Sequence, residues 1–511
     1  MRKSKVLLIA ILLVAVLATS VYAGGGRDRA TQTDTLYVGI AANPVSFDPT
    51  QTNDQPSAYI FFHVYETLIA VDYDMSPLPG LAERWVWDNP QNLRLFIRRG
   101  VRFHNGDELK ASDVKFSLER AALSPHVGNL SNMIERVDII NDYEVVARLT
   151  FPFVPFISNL GHTGLSIVNE RAVREMGEVE YARNPVGTGP YRFVNAVQGD
   201  RVNLTRFDNY WNASDRAKIE NLTFRVIVDQ STRLISLETG EINIALNISP
   251  NDMSRVRNDP NLTLYHEPTL ATNYIAFNAS RPPFNDVRVR HAVQHAIDLP
   301  AMVQAVYQGA LGSTNGPINN RVWSSISDEL PPFEYNPARS RQLLAEAGYP
   351  NGFSTAFYTN ENPQRVDTGE ILQNMLREVG IQVDVRIVEW GAFLEMTGRG
   401  EADLFMLGWT NSTGDPDRGM FNMFHTSQHG AAGNRGFFSD PEIDRLLDAG
   451  RVETDLARRA AIYRDVQWLI RDASPWIFQS AGADIVGARN NVRDLRLHPR
   501  GHYKYWRVSF Q

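Results

Sequence analysis

The sequence predicts an α/β protein built from more than one domain. Its 511 residues are enough for about two to four domains at roughly 150 residues each. They are 43% hydrophobic and 21% charged, which is typical of globular proteins and argues against a disordered chain. Helix patterns followed directly by strand patterns recur in the second half of the chain, and such units are typical of α/β domains.

The first 23 residues have the pattern of a secretory signal peptide. Basic residues at positions 2, 3 and 5 precede an uncharged apolar run at 6–18, and small residues follow at 21 and 23. The run is shorter than the ~20 residues that a membrane-spanning helix needs. We therefore expect residues 1–23 to direct export and to be removed, which places the mature protein in the periplasm or another extracytoplasmic space. Retention of this segment as an anchor is the alternative.

In the N-terminal half, short strands and helices are separated by proline and glycine. A strand at 35–41 is stopped by the prolines that follow it, and a helix is expected over 58–68. Alternating apolar residues predict a strand at 93–98, and Ser112 is a suitable N-cap for the next helix. The turn-rich stretch 184–190 predicts a crossing between domains. Further strands are expected at 191–194 and 222–228.

The second half of the chain shows clearer helix–strand units. Asn336 stands before a proline, which predicts a capped helix start, and a helix over 366–379 leads directly to a strand at 381–387. The strand at 403–408 is mostly apolar. The polar loop after it, 409–417, would face the ligand crevice of an open α/β sheet. Later helix starts are expected at Asp440 and Thr454, and a last strand within 503–510.

Charge and composition exclude several classes of function. The net charge is −7 and neither sign occurs in blocks, so nucleic acid is not expected as a partner. The absence of cysteine excludes disulfides, thiolate nucleophiles and cysteine-ligated metals. No metalloprotease, serine hydrolase, P-loop or dinucleotide-binding motif occurs. We predict no catalytic residues, no cofactor and no metal.

Two acids and two histidine pairs were the remaining candidates for chemistry. Asp415 and Asp417 flank a proline, which favours turn and helix-cap roles over a carboxylate-based hydrolase. The pairs at 291 and 295 and at 425 and 429 have the spacing of helical metal ligands. The first pair lies opposite the apolar stripe of its helix, and the second lies in a stretch that need not be helical.

Two tryptophans follow predicted strands. Trp390 and Trp409 either pack in the core or form apolar walls for a ligand. The loop from Trp409 to Asp415 offers hydroxyl, amide and backbone groups, which suit hydrogen-bonded recognition without covalent chemistry.

Eight sequence blocks resemble one known family in the same order along the chain. The match is to the extracytoplasmic solute-binding proteins of ABC importers, in the peptide/nickel-type class that includes oligopeptide-, dipeptide- and glutathione-binding proteins. The blocks are VYETL at 64–68, PGLAERW at 79–85, RGVRFHNG at 99–106, ASDVKFS at 111–117, NPVGTGPY at 184–191, YIAFN at 274–278, PFNDVRVR at 283–290 and LAEAGYP at 344–350.

The resemblance implies a two-lobed periplasmic-binding-protein-like fold with a third, inserted domain. Lobe I would comprise residues 34–60, 186–270 and 491–511, the inserted domain II residues 61–185, and lobe III residues 271–490. A small solute would be enclosed when the lobes close about a hinge, and the closed form would dock on the permease subunits of an ABC transporter. A monomer is expected.

The resemblance also places the binding residues. Three segments match the ligand loops of dipeptide binders, and Ser412 stands where those proteins carry an aspartate for the peptide amine. Their carboxylate-binding arginine is replaced near Thr359. An amine could instead meet Asp54, Glu361 or Asp415, and a carboxylate Arg365. The expected ligand-binding residues are Thr52, Asn53, Asp54, Thr359, Asn360, Glu361, Arg365, Trp390, Trp409, Thr410, Asn411, Ser412 and Asp415.

Peptides or peptide-like solutes are the first expectation for the ligand. An oligosaccharide, a glutathione-like compound or a metal chelate would use the same fold. A hydrolase, and a chemoreceptor or chaperone-like protein, are the alternatives of a different class.

Overall fold

The structure, a computed structural model, describes residues 34–511. The predicted signal peptide lies outside the described residues. Within residues 34–511, no helix is long and apolar enough to cross a membrane.

A ten-stranded mixed sheet runs through both lobes. From one edge to the other its strands are β14, β13, β15, β12, β16, β11, β1, β10, β9 and β8. Their bounds are β1 Thr35–Ile40, β8 Tyr191–Val197, β9 Arg201–Arg206, β10 Asn221–Val226, β11 Ile244–Ala245, β12 Leu262–Phe277, β13 Ser354–Thr359, β14 Gln382–Ile387, β15 Leu404–Thr410 and β16 Trp476–Arg489.

A separate four-stranded antiparallel sheet lies within the predicted inserted segment, in the order β4, β5, β7, β6. These strands are β4 Ala82–Asn89, β5 Asn92–Ile97, β6 Ile134–Asn141 and β7 Glu144–Leu149. Its buried residues belong to the same continuous core as those of β1 and β10, so the inserted segment packs directly on lobe I. The predicted two-lobed α/β fold is confirmed, whereas the domain boundaries stay predictions.

Two small sheets complete the strands. One pairs β2, Ile69–Val71, with β3, Pro77–Pro79, and the other pairs β17, Val492–Arg493, with β18, Ser509–Phe510. The tail strand is therefore shorter than the predicted 503–510. It pairs with its near neighbour β17 and adds no strand to the large sheet.

The helices pack on both sides of the sheets. Their bounds are α1 Gln55–Val64, α2 Ala111–Ala122, α3 Phe156–Asn159, α4 Glu170–Met176, α5 Glu178–Tyr181, α6 Gln230–Thr239, α7 Met253–Asn258, α8 Val287–His295, α9 Leu299–Tyr307, α10 Pro337–Glu346, α11 Pro363–Arg377, α12 Trp390–Gly398, α13 Pro416–Phe424, α14 Pro441–Val452 and α15 Leu456–Ala473.

Capping side chains set several helix starts. Asn336 and Asp440 cap α10 and α14, as predicted. Ser112 is not a cap: the helix begins at Ala111, two residues before the start that a cap at Ser112 implies, and the carboxylate of Asp113 accepts from the backbone N–H of the cap residue Lys110 at 2.9 Å. Asp455, not the neighbouring Thr454, caps α15.

Two long strands carry the chain between the lobes. β12 and β16 run antiparallel; β12 crosses the predicted boundary between residues 270 and 271, and the C-terminal end of β16 pairs with β11 of lobe I. Their register is interrupted between Pro268 and Thr272, opposite Ala481 and Ala483. Such irregularities bend a sheet locally. The junction between the lobes is therefore a bent pair of hydrogen-bonded strands.

Candidate functional site

A cavity of about 240 Å³ lies where lobe I, the inserted segment and lobe III meet. Junctions between domains are common positions for small-molecule sites. Its lining comes from widely separated parts of the chain: Thr52, Asn53, Asp54, Gln55, Ala58, Phe61, His162, Thr163, Gly164, Ala271, Asn273, Tyr274, Arg365, Trp390, Leu394, Leu407, Gly408, Trp409, Thr410, Ser412, Arg418, Arg435 and His502.

The loop before α1 contributes an acid. Asp54 caps this helix by accepting from the backbone N–H of Ser57 at 3.3 Å, so the helix starts earlier than the predicted 58–68. Its carboxylate also accepts from the Thr52 hydroxyl at 2.8 Å and from the indole N–H of Trp390 at 3.3 Å. Burial raises the pKa of Asp54, and these hydrogen bonds oppose that rise. Asp54 is the single acidic side chain among the described residues that line the cavity.

Both tryptophans lie at the cavity. Trp390 begins α12 and contacts Asp54 from the opposite lobe, while Trp409 belongs to β15, where it pairs with Thr272. The strand thus runs two residues further than the predicted 403–408, and the loop begins only after Thr410. The Trp409 indole donates to the carbonyl of Arg418 at 3.0 Å, which fixes the ring in the wall. Both rings line the cavity, and their role as walls for a ligand stays a prediction.

Three arginines of lobe III give the cavity a positive charge. Arg365 donates to the amide oxygen of Asn360 at 3.0 Å, and Arg435 donates to the Thr397 hydroxyl at 3.1 Å. Arg418 lies 4.9 Å above the Trp409 ring. No described acidic side chain forms an ion pair with any of the three, in contrast to many arginines elsewhere in residues 34–511.

Burial accounts for the electrostatic state of these arginines. It lowers the pKa of all three, and brings that of Arg418 to about 9, which still leaves the group charged at neutral pH. A buried charge without a counter-charge is unfavourable. The cavity is therefore suited to an anionic ligand.

Histidines from two other segments face the same cavity. His162 lies 3.3 Å from a terminal nitrogen of Arg418, and His502, whose ring acts electrostatically on His162, also lines the cavity. Both are buried, at 6% and 3% exposed. Burial, followed by the nearby cationic groups, lowers the pKa of each well below its usual value, so both rings are neutral at neutral pH.

The two lobes contact each other around the cavity. Beside the Trp390–Asp54 hydrogen bond, Gln230 of α6 and Gln364 of α11 exchange two amide hydrogen bonds of 2.9 and 3.1 Å. Arg418 donates to the side chain of Asn129 in the inserted segment at 3.2 Å. The structure is therefore that of a closed cleft.

Five predicted binding residues lie outside this cavity. Thr359 is fully buried in β13, and Asn411 is buried beside Gly419. Asn360 and Glu361 line a neighbouring opening that shares Arg365 and Trp390 with the cavity. The carboxylate of Asp415 binds Arg459 through both oxygens at 2.7 Å. It is thus not free to bind an amine, and the residues of the prediction that do line the cavity are Thr52, Asn53, Asp54, Arg365, Trp390, Trp409, Thr410 and Ser412.

Neither predicted alternative site gains support from the geometry. Asp417 is buried beside Arg451 at 3.4 Å and lies away from the cavity, as does Asp415. In residues 34–511 no group of three or more potential ligands could hold a metal ion. His291 and His295 are half-buried, not fully solvent-facing as predicted, because both pack against Phe333.

Comparisons with known proteins agree with this architecture. Residues 76–431 match the model of bacterial extracellular solute-binding proteins, family 5, middle region. The glutathione-binding protein GsiB of Pectobacterium atrosepticum is 32% identical over 452 residues, covering 86% of this chain and 87% of that protein. Heme-binding protein A of Haemophilus influenzae is 28% identical, covering 94% and 93%.

A solved structure shares the whole fold. The ABC transporter-associated periplasmic binding protein DppA of Helicobacter pylori, in complex with the peptide STSA, superposes with a TM-score of 0.88 at 26% identity and covers 94% of this chain and 99% of its own. The resemblance seen in the sequence blocks is confirmed. The chain belongs to the bacterial extracellular solute-binding proteins of family 5, the peptide/nickel-type class of ABC-importer binding proteins.

Proposed function

We propose that the protein captures a small anionic, peptide-like solute between its lobes and delivers it to an ABC permease outside the cytoplasm. The observation that carries this proposal is the charge of the cavity: three arginines, of which Arg418 and Arg435 are buried and Arg365 is half-buried, face one acid. A ligand with more carboxylates than ammonium groups would balance these charges, whereas a plain dipeptide would leave arginines uncompensated.

Two neighbouring features narrow the ligand class. Ser412 replaces the aspartate by which dipeptide binders hold the peptide amine, so Asp54 is the remaining candidate for an ammonium group. Arg365 has one hydrogen bond to a side-chain amide, which leaves further N–H donors for a carboxylate. Glutathione has two carboxylates and one ammonium group, so it supplies one negative charge more than a dipeptide and leaves one arginine, not two, without an acidic counterpart. The similarity to a glutathione-binding protein supports the same class.

Export and delivery to a permease rest on the family and on the signal-peptide pattern. The closed contacts between lobes would give the permease a form that differs from the open one. That the receptor acts as a monomer rests on the family resemblance alone. We propose no catalytic role.

The ligand can be identified directly. Native mass spectrometry of the mature protein from its export compartment, followed by denaturing release, would reveal a co-purified solute. We expect a compound with net negative charge. A neutral sugar in stoichiometric amount would contradict the proposal.

A binding experiment tests the charge argument. Isothermal titration calorimetry would compare glutathione with Ala-Ala-Ala, and we expect glutathione to bind at least about tenfold more tightly. Arg365→Gln should weaken glutathione binding about 10- to 100-fold. Arg464→Gln, which removes an exposed charge paired with Glu329, is the matched control and should change nothing. Equal affinity for both peptides would refute an anionic ligand.

A further inference from the structure

Two hydrogen-bond donors compete for one acceptor at His162. The backbone N–H of Gly164 donates to Nδ1 of the ring at 2.9 Å, and a terminal nitrogen of Arg418 lies 3.3 Å from Nε2. A neutral imidazole has one acceptor nitrogen, and its other nitrogen carries hydrogen. Since Gly164 uses Nδ1, the hydrogen stands on Nε2 and points toward the guanidinium. The Nε2–H of His162 and the N–H of Arg418 that faces it are thus two buried donors without an acceptor.

Arg418 itself has further unused donors. Its one side-chain acceptor is the amide oxygen of Asn129, and its Nε has no partner among the described residues. Arg418 is 4% exposed as a residue, so solvent satisfies few of its donors. Both ring nitrogens of the buried His502, in the same cavity, are also unpartnered within residues 34–511. So many buried nitrogens without a hydrogen-bond partner in one cavity are unusual in a folded protein.

The missing partner must carry negative charge and at least two acceptor oxygens. The other charged or titratable groups acting on His162 are Arg418, Arg500 and His502, and none of them is an acid. A water molecule could accept a hydrogen bond here, but it would leave the guanidinium uncompensated. A carboxylate could accept from Arg418 and from Nε2–H of His162 together.

We infer that Arg418, His162 and His502 form a second carboxylate subsite, distinct from the one at Arg365. This inference rests on the proposed function and deepens it. The two arginines have different surroundings: Arg365 lies by Asn360 and Trp390, whereas Arg418 lies by Asn129 and Trp409. The preferred ligand is therefore a dicarboxylate, with one acid group bound at each arginine.

The geometry also links this subsite to closure. Arg418 belongs to lobe III, while His162 belongs to the inserted segment on lobe I. A carboxylate between them would bridge the two sides of the cleft. The closed form gains this contact only when the ligand carries the second acid.

A double-mutant cycle between protein and ligand tests the inference. The probes are glutathione and its two derivatives in which one carboxylate is converted to an amide, titrated by calorimetry into the wild type, Arg418→Gln and Arg365→Gln. We expect the wild type to lose about 10- to 100-fold in affinity with either amide. One amide derivative should bind Arg418→Gln as tightly as it binds the wild type. The other amide derivative should bind Arg365→Gln as tightly as it binds the wild type.

The outcomes separate the two proposals. If the wild type binds glutathione but Arg418→Gln weakens all three probes equally, or none of them, the subsite is wrong and the proposed function stands. If the wild type binds neither glutathione nor Ala-Ala-Glu, the proposed function fails and the subsite with it. If circular dichroism shows that Arg418→Gln does not fold, His162→Asn takes its place. If the wild type binds both amide derivatives as tightly as it binds glutathione, the inference is overturned without any variant. Arg464→Gln is again the charge-matched control.

Discussion

Two buried arginines of lobe III differ in their partners. Arg459, 1% exposed, binds both carboxylate oxygens of Asp415 at 2.7 Å, and its Nε donates to the carbonyl of Gly450 at 2.7 Å. Arg418, 4% exposed and only three residues after Asp415, forms no ion pair: the neighbouring Asp417 acts on it only through the electrostatic field, and its guanidinium donates to one neutral amide. The same residue type at similar depth is compensated in one place and uncompensated in the other.

The paired charge of Arg459 therefore has a structural role, whereas the charge of Arg418 is one that a bound ligand would pair. A buried ion pair with complete hydrogen bonding holds its surroundings together, and removing one partner is strongly unfavourable. A buried cation without a partner destabilises the empty protein. Such a group is retained where something outside the chain completes it. Charge compensation, more than burial, therefore indicates which arginines bind.

The largest effect is expected when the compensated pair is broken. Arg459→Met leaves the Asp415 carboxylate buried without its cation, and we expect the free energy of unfolding to fall by about 3–5 kcal/mol. Urea unfolding followed by circular dichroism measures it. A loss below about 1 kcal/mol would show that Asp415 finds other compensation and would break the comparison.

The same substitution at the other arginine should behave oppositely. Arg418→Met removes an uncompensated buried charge, so we expect the ligand-free protein to keep its stability or to gain about 1 kcal/mol. The measurement is the same urea titration on protein freed of ligand. A destabilisation as large as that of Arg459→Met would mean that Arg418 is structural.

A pH effect is expected at Asp417. Burial raises the pKa of this carboxyl to about 6 from its usual 3.8, against the effect of nearby Arg451. Between about pH 4 and 6 the folded protein therefore holds a proton that the unfolded chain has released, and the free energy of unfolding falls as pH rises. Asp417→Asn should reduce this fall by about 2 kcal/mol. Parallel wild-type and variant curves from pH 4 to 7 would contradict it.

The smallest effect is expected at Glu361. This acid is exposed and lines the neighbouring opening, so Glu361→Gln should change glutathione affinity less than about twofold. Asp54→Asn, at the acid inside the cavity, is the matched comparison and should weaken binding of a ligand with an ammonium group. If both variants weaken ligand affinity equally, the ammonium group of the ligand binds closer to Glu361 than proposed.

Much of the fold followed from local patterns. The start of α10 at Asn336 and the helix–strand unit of α11 and β14 depend on caps and periodicity that a sequence displays. Local patterns failed where a neighbour competed, as at Asp113, whose carboxylate takes the capping role expected of Ser112. β15 ran longer than predicted because pairing with β12 continues through Trp409 and Thr410.

The sequence predicted only some of the residues that line the cavity. Asp54, Arg365 and the residues around Trp409 follow from loops that match the family, but Arg418, Arg435, His162 and His502 come from separate segments with no common spacing. Asp415 illustrates the opposite error. Its partner Arg459 lies 44 residues along the chain, so nothing local shows that the carboxylate is already bound.

The junction formed by β12 and β16 constrains how the two lobes can move relative to each other. Any rotation of one lobe must bend these two paired strands at the interrupted register near Pro268 and Thr272. A paired ribbon resists twisting and sliding far more than a single flexible linker, so the lobes keep nearly one path of motion. The hydrogen bonds between Gln230 and Gln364 join the lobes in this arrangement. The junction thus limits the directions in which the two lobes can separate to admit a solute.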